Sequence, residues 1–372
     1  MKLAVITLPL HTNYGGILQA FALQKVLKEM GHQVTLLENK QFTLGLNIPL
    51  RRVAERMKKR WLQHEDCYIL YERKMKKVAP VVQQHTNRFV NTHINRVRLW
   101  SLTSVKEHDY DGFVVGSDQI WRPLFYPHIS RAFLDFTKGW KVHRVAYAPS
   151  FGTDVMEYSP SQIKECQEGI SRFDGISVRE VSGVDLCYRY FNIKAEHVLD
   201  PTMLLTADDY NQLIANAHVP ESNGDLFCYV LDETKEIAAT IQSVTTRYGM
   251  TPFYINAFTG NRKVPLEQRI QPPVESWIRA FADARLVITD SFHACVFSIL
   301  YHKPFIVIPN KGRGQSRMLS LLQMFGLQHL MKSEESTLTS SLPTIDWNDV
   351  DQRLFAWQQK SRSFLVKHLA SL

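Results

Sequence analysis

Several features that mark specialised protein classes are missing from this chain of 372 residues. No apolar run approaches the ~18 residues that a membrane-spanning helix needs. The longest candidate, residues 294–309, is broken by Ser298, His302, Lys303 and Pro304. Cysteine is sparse, five residues (Cys67, Cys166, Cys187, Cys228 and Cys295) with no CxxC pair. That odd, scattered set argues against a disulfide framework and against a zinc site. Neither GxGxxG nor GxxxxGK(S/T) occurs, so a nucleotide cofactor has no support. Internal repeats and low-complexity tracts are absent too. The short apolar run at 3–8 has no small-residue cleavage site after it, so a cytoplasmic, reduced protein is expected.

What is present is the mix of an ordinary globular protein, 45% apolar and 22% charged. At roughly 150 residues per domain the length suggests two domains. Charge is uneven. The formal net charge is +8, from 44 Lys+Arg against 36 Asp+Glu. Residues 51–77 alone hold ten basic side chains and four acids, +6 of that total.

Residues 3–8 (LAVITL) read as a strand buried on both faces. The turn HTNYGG (11–16), a helix from Ile17 to Met30, a stop at Gly31 and a strand from Gln33 to Leu37 complete a βαβ unit. The basic segment is helical by composition. Strands are expected at 112–115, 144–148 and 175–178, with a helix at 160–170. A second alternation follows: strand 226–231, helix 233–248, strand 252–256, helix 274–283, strand 286–289, helix 294–301, strand 305–308. A last helix covers about 347–369. The class is α/β, two Rossmann-like domains with a terminal helix. The boundaries are 1–200, carrying the basic insertion 51–77, then 201–345, then 346–372, with Pro201 as a hinge.

The chemistry-bearing residues cluster where strands end. Gly15 and Gly16 place backbone N–H groups at the crevice where such sheets bind ligands, with Asn13, Tyr14 and Gln19 able to hold a sugar. A plain turn explains the glycines equally well. Asp109-x-Asp111 has the form of a sugar-transferase metal motif but precedes its strand, so a solvated turn is the expectation and no metal site is assigned. Gly116-Ser117-Asp118-Gln119 stands at the carboxyl end. Asp118 is a candidate general base, or a cap. Trp121 is a sugar platform or core. Arg179 can grip an anion bidentately, or pair with an acid. Asp290-Ser291-Phe292-His293 joins a buried strand to a helix start, an anion-receptive place with Ser291 as ligand or cap and His293 as acid or base. Lys311, Arg313 and Arg317 follow in a Gly-rich loop. Two negative groups on one small substrate would suit them.

Taken together, NYGGILQAFALQ (13–24), VVGSDQIWRP (114–123), YAPSFG (147–152), SVRE (177–180), VLDPTMLL (198–205) and TDSFHACVFSILYHKPFIVIP (289–309) resemble the polysaccharide pyruvyl transferase family. The resemblance implies a GT-B-like fold with a cleft between the domains, acceptor side first and donor side second. It implies phosphoenolpyruvate as co-substrate, with no cofactor, and a capsule or cell-wall sugar as acceptor. The product would be a pyruvate ketal on two sugar hydroxyls, with phosphate released. His293 and Arg179 match catalytic or donor-binding positions of the family, His293 as the acid or as a phosphate-binding cation; Asp118 is the candidate base from its place at the strand end. Ser291, Lys311, Arg313 and Arg317 fall on the donor side. Asn13, Tyr14, Gly15, Gly16, Gln19, Ser117, Gln119 and Trp121 fall on the acceptor side. Ala294 stands where the family more often has Gly.

A GT-B nucleotide-sugar glycosyltransferase and a non-catalytic carbohydrate- or membrane-binding protein remain as other readings. Nucleic acid is not expected, since no such motif accompanies the basic segment. If the acceptor is polyprenyl-diphosphate-linked, residues 51–77 suit an anionic membrane face, and a solvated helix face is the alternative.

Overall fold

Strands that are apolar on both faces need helices on both sides, and that requirement organises the chain. The computed structural model describes residues 1–39, 57–58, 61, 71–257, 259, 264–310, 315–332 and 342–369. Most of the basic insertion 51–77 lies outside these residues, as do Lys311 and Arg313.

The first sheet contains β1 (Lys2–Ile6), β2 (Gln33–Asn39), β3 (Arg96–Leu99), β4 (Gly112–Val115), β5 (His143–Ala146), β6 (Gly175–Val178) and β7 (Glu196–His197). Its order is β3-β2-β1-β4-β5-β6-β7, and every pairing is parallel. The second contains β8 (Leu226–Tyr229), β9 (Pro252–Phe253), β10 (Leu286–Thr289) and β11 (Phe305–Val307). Its order is β11-β10-β8-β9, again all parallel. All residues of β4, β6, β8 and β10 are buried, and the polar ones among them, Ser177 and Thr289, donate to the carbonyls of Ala146 and Tyr229.

In each sheet the strand order reverses beside the strand that starts it, between β1 and β4 and between β8 and β10. Open parallel sheets bind ligands in the crevice at the carboxyl ends of such strands. β8 stops earlier than its apolar run. The N–H groups of Leu231 and Asp232 turn aside to donate to the Asp290 carboxylate, at 2.8 and 3.2 Å.

Helix Tyr14–Glu29 starts at Asn13, whose Oδ1 accepts from the Gly16 N–H at 3.3 Å. It gives way at Gly31, which adopts φ +88°. Helix Trp347–Leu369 crosses back to the first domain. Ser361 Oγ accepts from Leu199 N–H at 3.0 Å in the first domain, and Gln358 and Arg362 donate to the carbonyls of Met203 and Leu204 in the connection that leaves it. Farther along, the His368 ring fills the space beside Gly175 of β6. Among the described residues no helix is long and apolar enough to cross a membrane.

Candidate active site

The two reversal points face each other. Between them lies a cavity of about 350 Å³. The first domain contributes Asn13, from the turn after β1, and Asp118 and Gln119, from the end of β4. The second contributes Ser291 and His293 after β10, and Arg317 from helix Gln315–Met324. Ser291 is the N-cap of helix Phe292–Leu300, and its side chain makes no capping bond. The opening N–H groups of that helix lack intrahelical acceptors, which suits an anion.

Behind this wall lies a chain of buried charges. Arg179 is fully buried, with Nη2 donating to Asp118 Oδ1 and Nη1 to Asp200 Oδ2, each at 2.8 Å. Its guanidinium carbon sits 4.6 Å from the centre of the Phe292 ring. Asp200 Oδ2 lies 3.7 Å from His293 Nε2. Burial opposes the charge on Asp118, but Arg179, His293 and Arg317 outweigh it and hold the carboxyl below its ordinary range. Burial likewise opposes charge on Asp200, and His293, Arg179 and Thr202 reverse the effect. Burial raises Glu180, whose carboxylate accepts from the Phe151 N–H at 2.9 Å. Arg317 is pushed down to about 10, by burial first and then by Arg179. It stays cationic at neutral pH.

Asp118 occupies φ +59°, ψ −170°, a backbone region that is essentially reserved for glycine. Its carbonyl accepts from Ser150 N–H at 2.8 Å. Gln119 reaches two guanidinium groups. In one amide orientation its Oε1 accepts from Arg122 Nη1 at 3.3 Å. In the other it accepts from Arg317 Nη2 and Nη1, at 3.2 and 3.3 Å. Gly152, at φ +74°, packs so closely that a Cβ there would lie 2.1 Å from Gln119 Oε1.

Of the sequence-derived candidates, Asn13, Asp118, Gln119, Ser291, His293 and Arg317 meet in the cavity. Gly15 and Gly16 lie beside it, packed against His293 and Asn13. Arg179 does not line the cavity; one arm of its guanidinium is committed to Asp118, which does, and the other to Asp200 behind it. Four acceptor-side candidates are buried away from it. Tyr14 stacks on Trp277, ring centres 5.5 Å apart, and its hydroxyl donates to the Pro272 carbonyl at 2.9 Å. Gln19 bonds Thr7 and the Gly16 carbonyl. Ser117 bonds Asp200. Trp121 stacks on Phe133 at 4.9 Å and donates to the Ala132 carbonyl, so it is core and not a sugar platform. Asp109 and Asp111 accept backbone N–H groups from Lys106 and Lys2, as a turn pair does.

The sequence reading passed over Asp200, Arg122 and Asn310. Asp200 and Arg122 stood inside quoted motifs, and only folding shows that they converge on the site. Arg122 lines the cavity and is held bidentately by Glu157, at 3.0 and 2.8 Å. Asn310 ties Asp290 to Asp232.

Two Rossmann-like sheets, a polar cavity at their facing reversal points and a terminal helix returning to the first domain define an α/β protein of GT-B-like architecture. Residues 13–312 match polysaccharide pyruvyl transferase, and the chain belongs to that family of transferases. No curated protein matches the sequence. Among solved structures, the chain is similar to a glycosyltransferase from Rickettsia africae ESF-5, at 9% identity and TM-score 0.49, covering 100% of this chain and 99% of that one. It is also similar to a UDP-GlcNAc 2-epimerase from Neisseria meningitidis bound to UDP-GlcNAc, at 8% identity, TM-score 0.45 and coverage of 98% and 94%. A third is the E. coli ADP-heptose lps heptosyltransferase II, at 11%, 0.38, and 97% and 99%.

Proposed function

We propose that the protein moves the pyruvyl unit of phosphoenolpyruvate onto two hydroxyls of a cell-surface glycan precursor, forming a pyruvate ketal and releasing phosphate. The observation that carries this reading is the meeting, in one cavity, of Asp118 from one domain with His293 and Arg317 from the other. Family membership supplies the reaction class.

In this reading the donor's phosphate and carboxylate lie toward Arg317 and the start of helix Phe292–Leu300. His293 delivers a proton to the methylene carbon, which becomes a methyl group and leaves a cationic centre at C2. A sugar hydroxyl attacks C2 while Asp118 takes its proton. The C2–O bond to phosphate then breaks, and a second hydroxyl closes the ring. Of the two hydroxyl protons, one replaces the proton given by His293 and the other leaves with phosphate. Arg179 works at one remove, keeping Asp118 ionised and aimed.

Incubation with phosphoenolpyruvate and lipid-linked precursor glycans should release phosphate and add one pyruvyl unit to the glycan mass. His293→Ala and Arg317→Ala should abolish both. Stabilisation by UDP or GDP sugars with no response to phosphoenolpyruvate would sink the reading in favour of a glycosyltransferase. The basic stretch 51–77 suits a polyprenyl-diphosphate-linked acceptor at an anionic membrane face, each Lys or Arg adding about 1 kcal/mol. Failure to bind anionic vesicles at low salt would end that part.

A further inference from the structure

Asp200 has no part in the transfer as written, yet it is the most firmly held carboxylate at the site. Its Oδ1 accepts from the Thr202 backbone N–H at 3.0 Å and from the Thr202 hydroxyl at 2.7 Å. Its Oδ2 accepts from Arg179 Nη1 at 2.8 Å and Ser117 Oγ at 3.1 Å. The same Oδ2 stands 3.7 Å from His293 Nε2, which is buried and has no hydrogen-bond partner. The imidazole is confined. Gly15 lies against its Nδ1 edge, and the neighbouring Phe292 ring is 5.3 Å away, nearly perpendicular at 85°.

A neutral imidazole has one nitrogen that donates and one that accepts, and an ionised carboxylate only accepts. A bare Nε2, itself buried, would point its lone pair at Asp200, with the Asp118 charge adding to the same field. A protonated Nε2 meets an acceptor instead. At 3.7 Å the contact is longer than a hydrogen bond, and catalytic contacts of this kind shorten when substrate binds. We infer that Asp200 is a positioning residue that keeps the proton of neutral His293 on Nε2, so that Nδ1 is the nitrogen that exchanges a proton with the cavity. Arg179 extends the arrangement by tying Asp200 to Asp118, which orders the acid and the base of the site together.

The tautomer can be read without substrate. Multiple-bond proton–nitrogen spectra of the intact, 15N-histidine-labelled chain should show neutral His293 as the Nε2–H form, its signals assigned by their loss in His293→Gln. Predominance of the Nδ1–H form overturns the inference. Asp200→Asn should weaken that preference and lower kcat for phosphoenolpyruvate-dependent phosphate release by ~10-fold or more with KM for phosphoenolpyruvate little changed, and Asp200→Glu should restore part of kcat. Unchanged kcat in a folded Asp200→Asn variant also overturns it. Should Asp200→Asn not fold, the wild-type spectrum decides alone. The kinetic arm rests on the proposed transfer and the tautomer does not. An Nε2–H signal without turnover therefore removes the transfer reading and leaves Asp200 in place.

Discussion

Gly15 and His293 belong to different domains and share one space: a Cβ on Gly15 would lie 2.0 Å from the imidazole Nδ1. Gly15 opens helix Tyr14–Glu29, and His293 opens helix Phe292–Leu300. Two helix starts are thereby brought together over the cavity. The glycine is required by the neighbour's ring, and its own backbone does not enter the left-handed region.

Gly15→Ala must therefore move the ring or part the domains. Overpacking of this kind costs about 1–3 kcal/mol. A displacement of about 1 Å at a reacting group costs on the order of 10²-fold in rate. Urea denaturation should show the stability loss in the wild-type background and its relief when His293→Ala is present as well. Equal losses in both backgrounds would show that the strain arises elsewhere.

Arg179 is the only cation hydrogen-bonded to both Asp118 and Asp200 among the described residues. Removing one member of a buried ionic cluster leaves uncompensated charge, at a cost of about 3–5 kcal/mol. Arg179→Ala should be destabilised by that order. Arg179→Lys should recover only part, since an ammonium group cannot present two arms to two carboxylates. An Arg179→Ala protein as stable as wild type would remove the structural role assigned here.

Legibility in the sequence followed the strength of local signals. The strands Gly112–Val115 and Leu286–Thr289 were readable to the residue because short apolar runs end at turn residues, and Gly175–Val178 was placed near its true bounds by its apolar residues and the charged pair Arg179-Glu180 after it. Helices Gln84–His93, Val181–Phe191 and Ala207–Ala217 escaped. Each has only three or four buried residues among polar ones, a weak stripe that tertiary packing completes. Strand Arg96–Leu99 escaped for a similar reason. It has no fully buried residue and is held by Arg96 and Arg98 pairing with Glu38 on its neighbour. At the site, residue type and strand-end position picked out Asp118 and His293. Asp200 could not be found that way, because its importance comes from Arg179 and His293, 21 and 93 positions along the chain.

Tyr14 tests the difference between motif membership and ligand contact. Its hydroxyl joins the domains through the Pro272 carbonyl, and its ring rests on Trp277. Tyr14→Phe should cost about 1 kcal/mol of stability, the usual worth of one hydrogen bond. KM for phosphoenolpyruvate and for the glycan should not change. A raised glycan KM at unchanged stability would return Tyr14 to the acceptor site.

His197 contributes to the acid sensitivity of the fold. Its Nε2 lies 3.2 Å from the Arg179 carbonyl, where the neutral ring donates, and its ring meets Trp357 edge-on at 5.1 Å. Burial pushes the ring down to about 4, opposed by the Arg179 carbonyl and reinforced by the Lys360 charge. Because the folded value lies below the unfolded one of about 6.5, the unfolded chain takes up protons first as the pH falls. The contribution is complete above about pH 6.5 and is lost between there and pH 4, amounting to about 3 kcal/mol. Burial also holds down His11, His32 and His93, so the wild-type curve contains more than one such group. The decisive quantity is the difference from His197→Gln, which can still donate to the Arg179 carbonyl but does not titrate. Denaturation midpoints from pH 8 to 4.5 should converge as the pH falls, with the wild type losing its advantage. Parallel curves would show that His197 charges as readily in the folded chain as in the unfolded one.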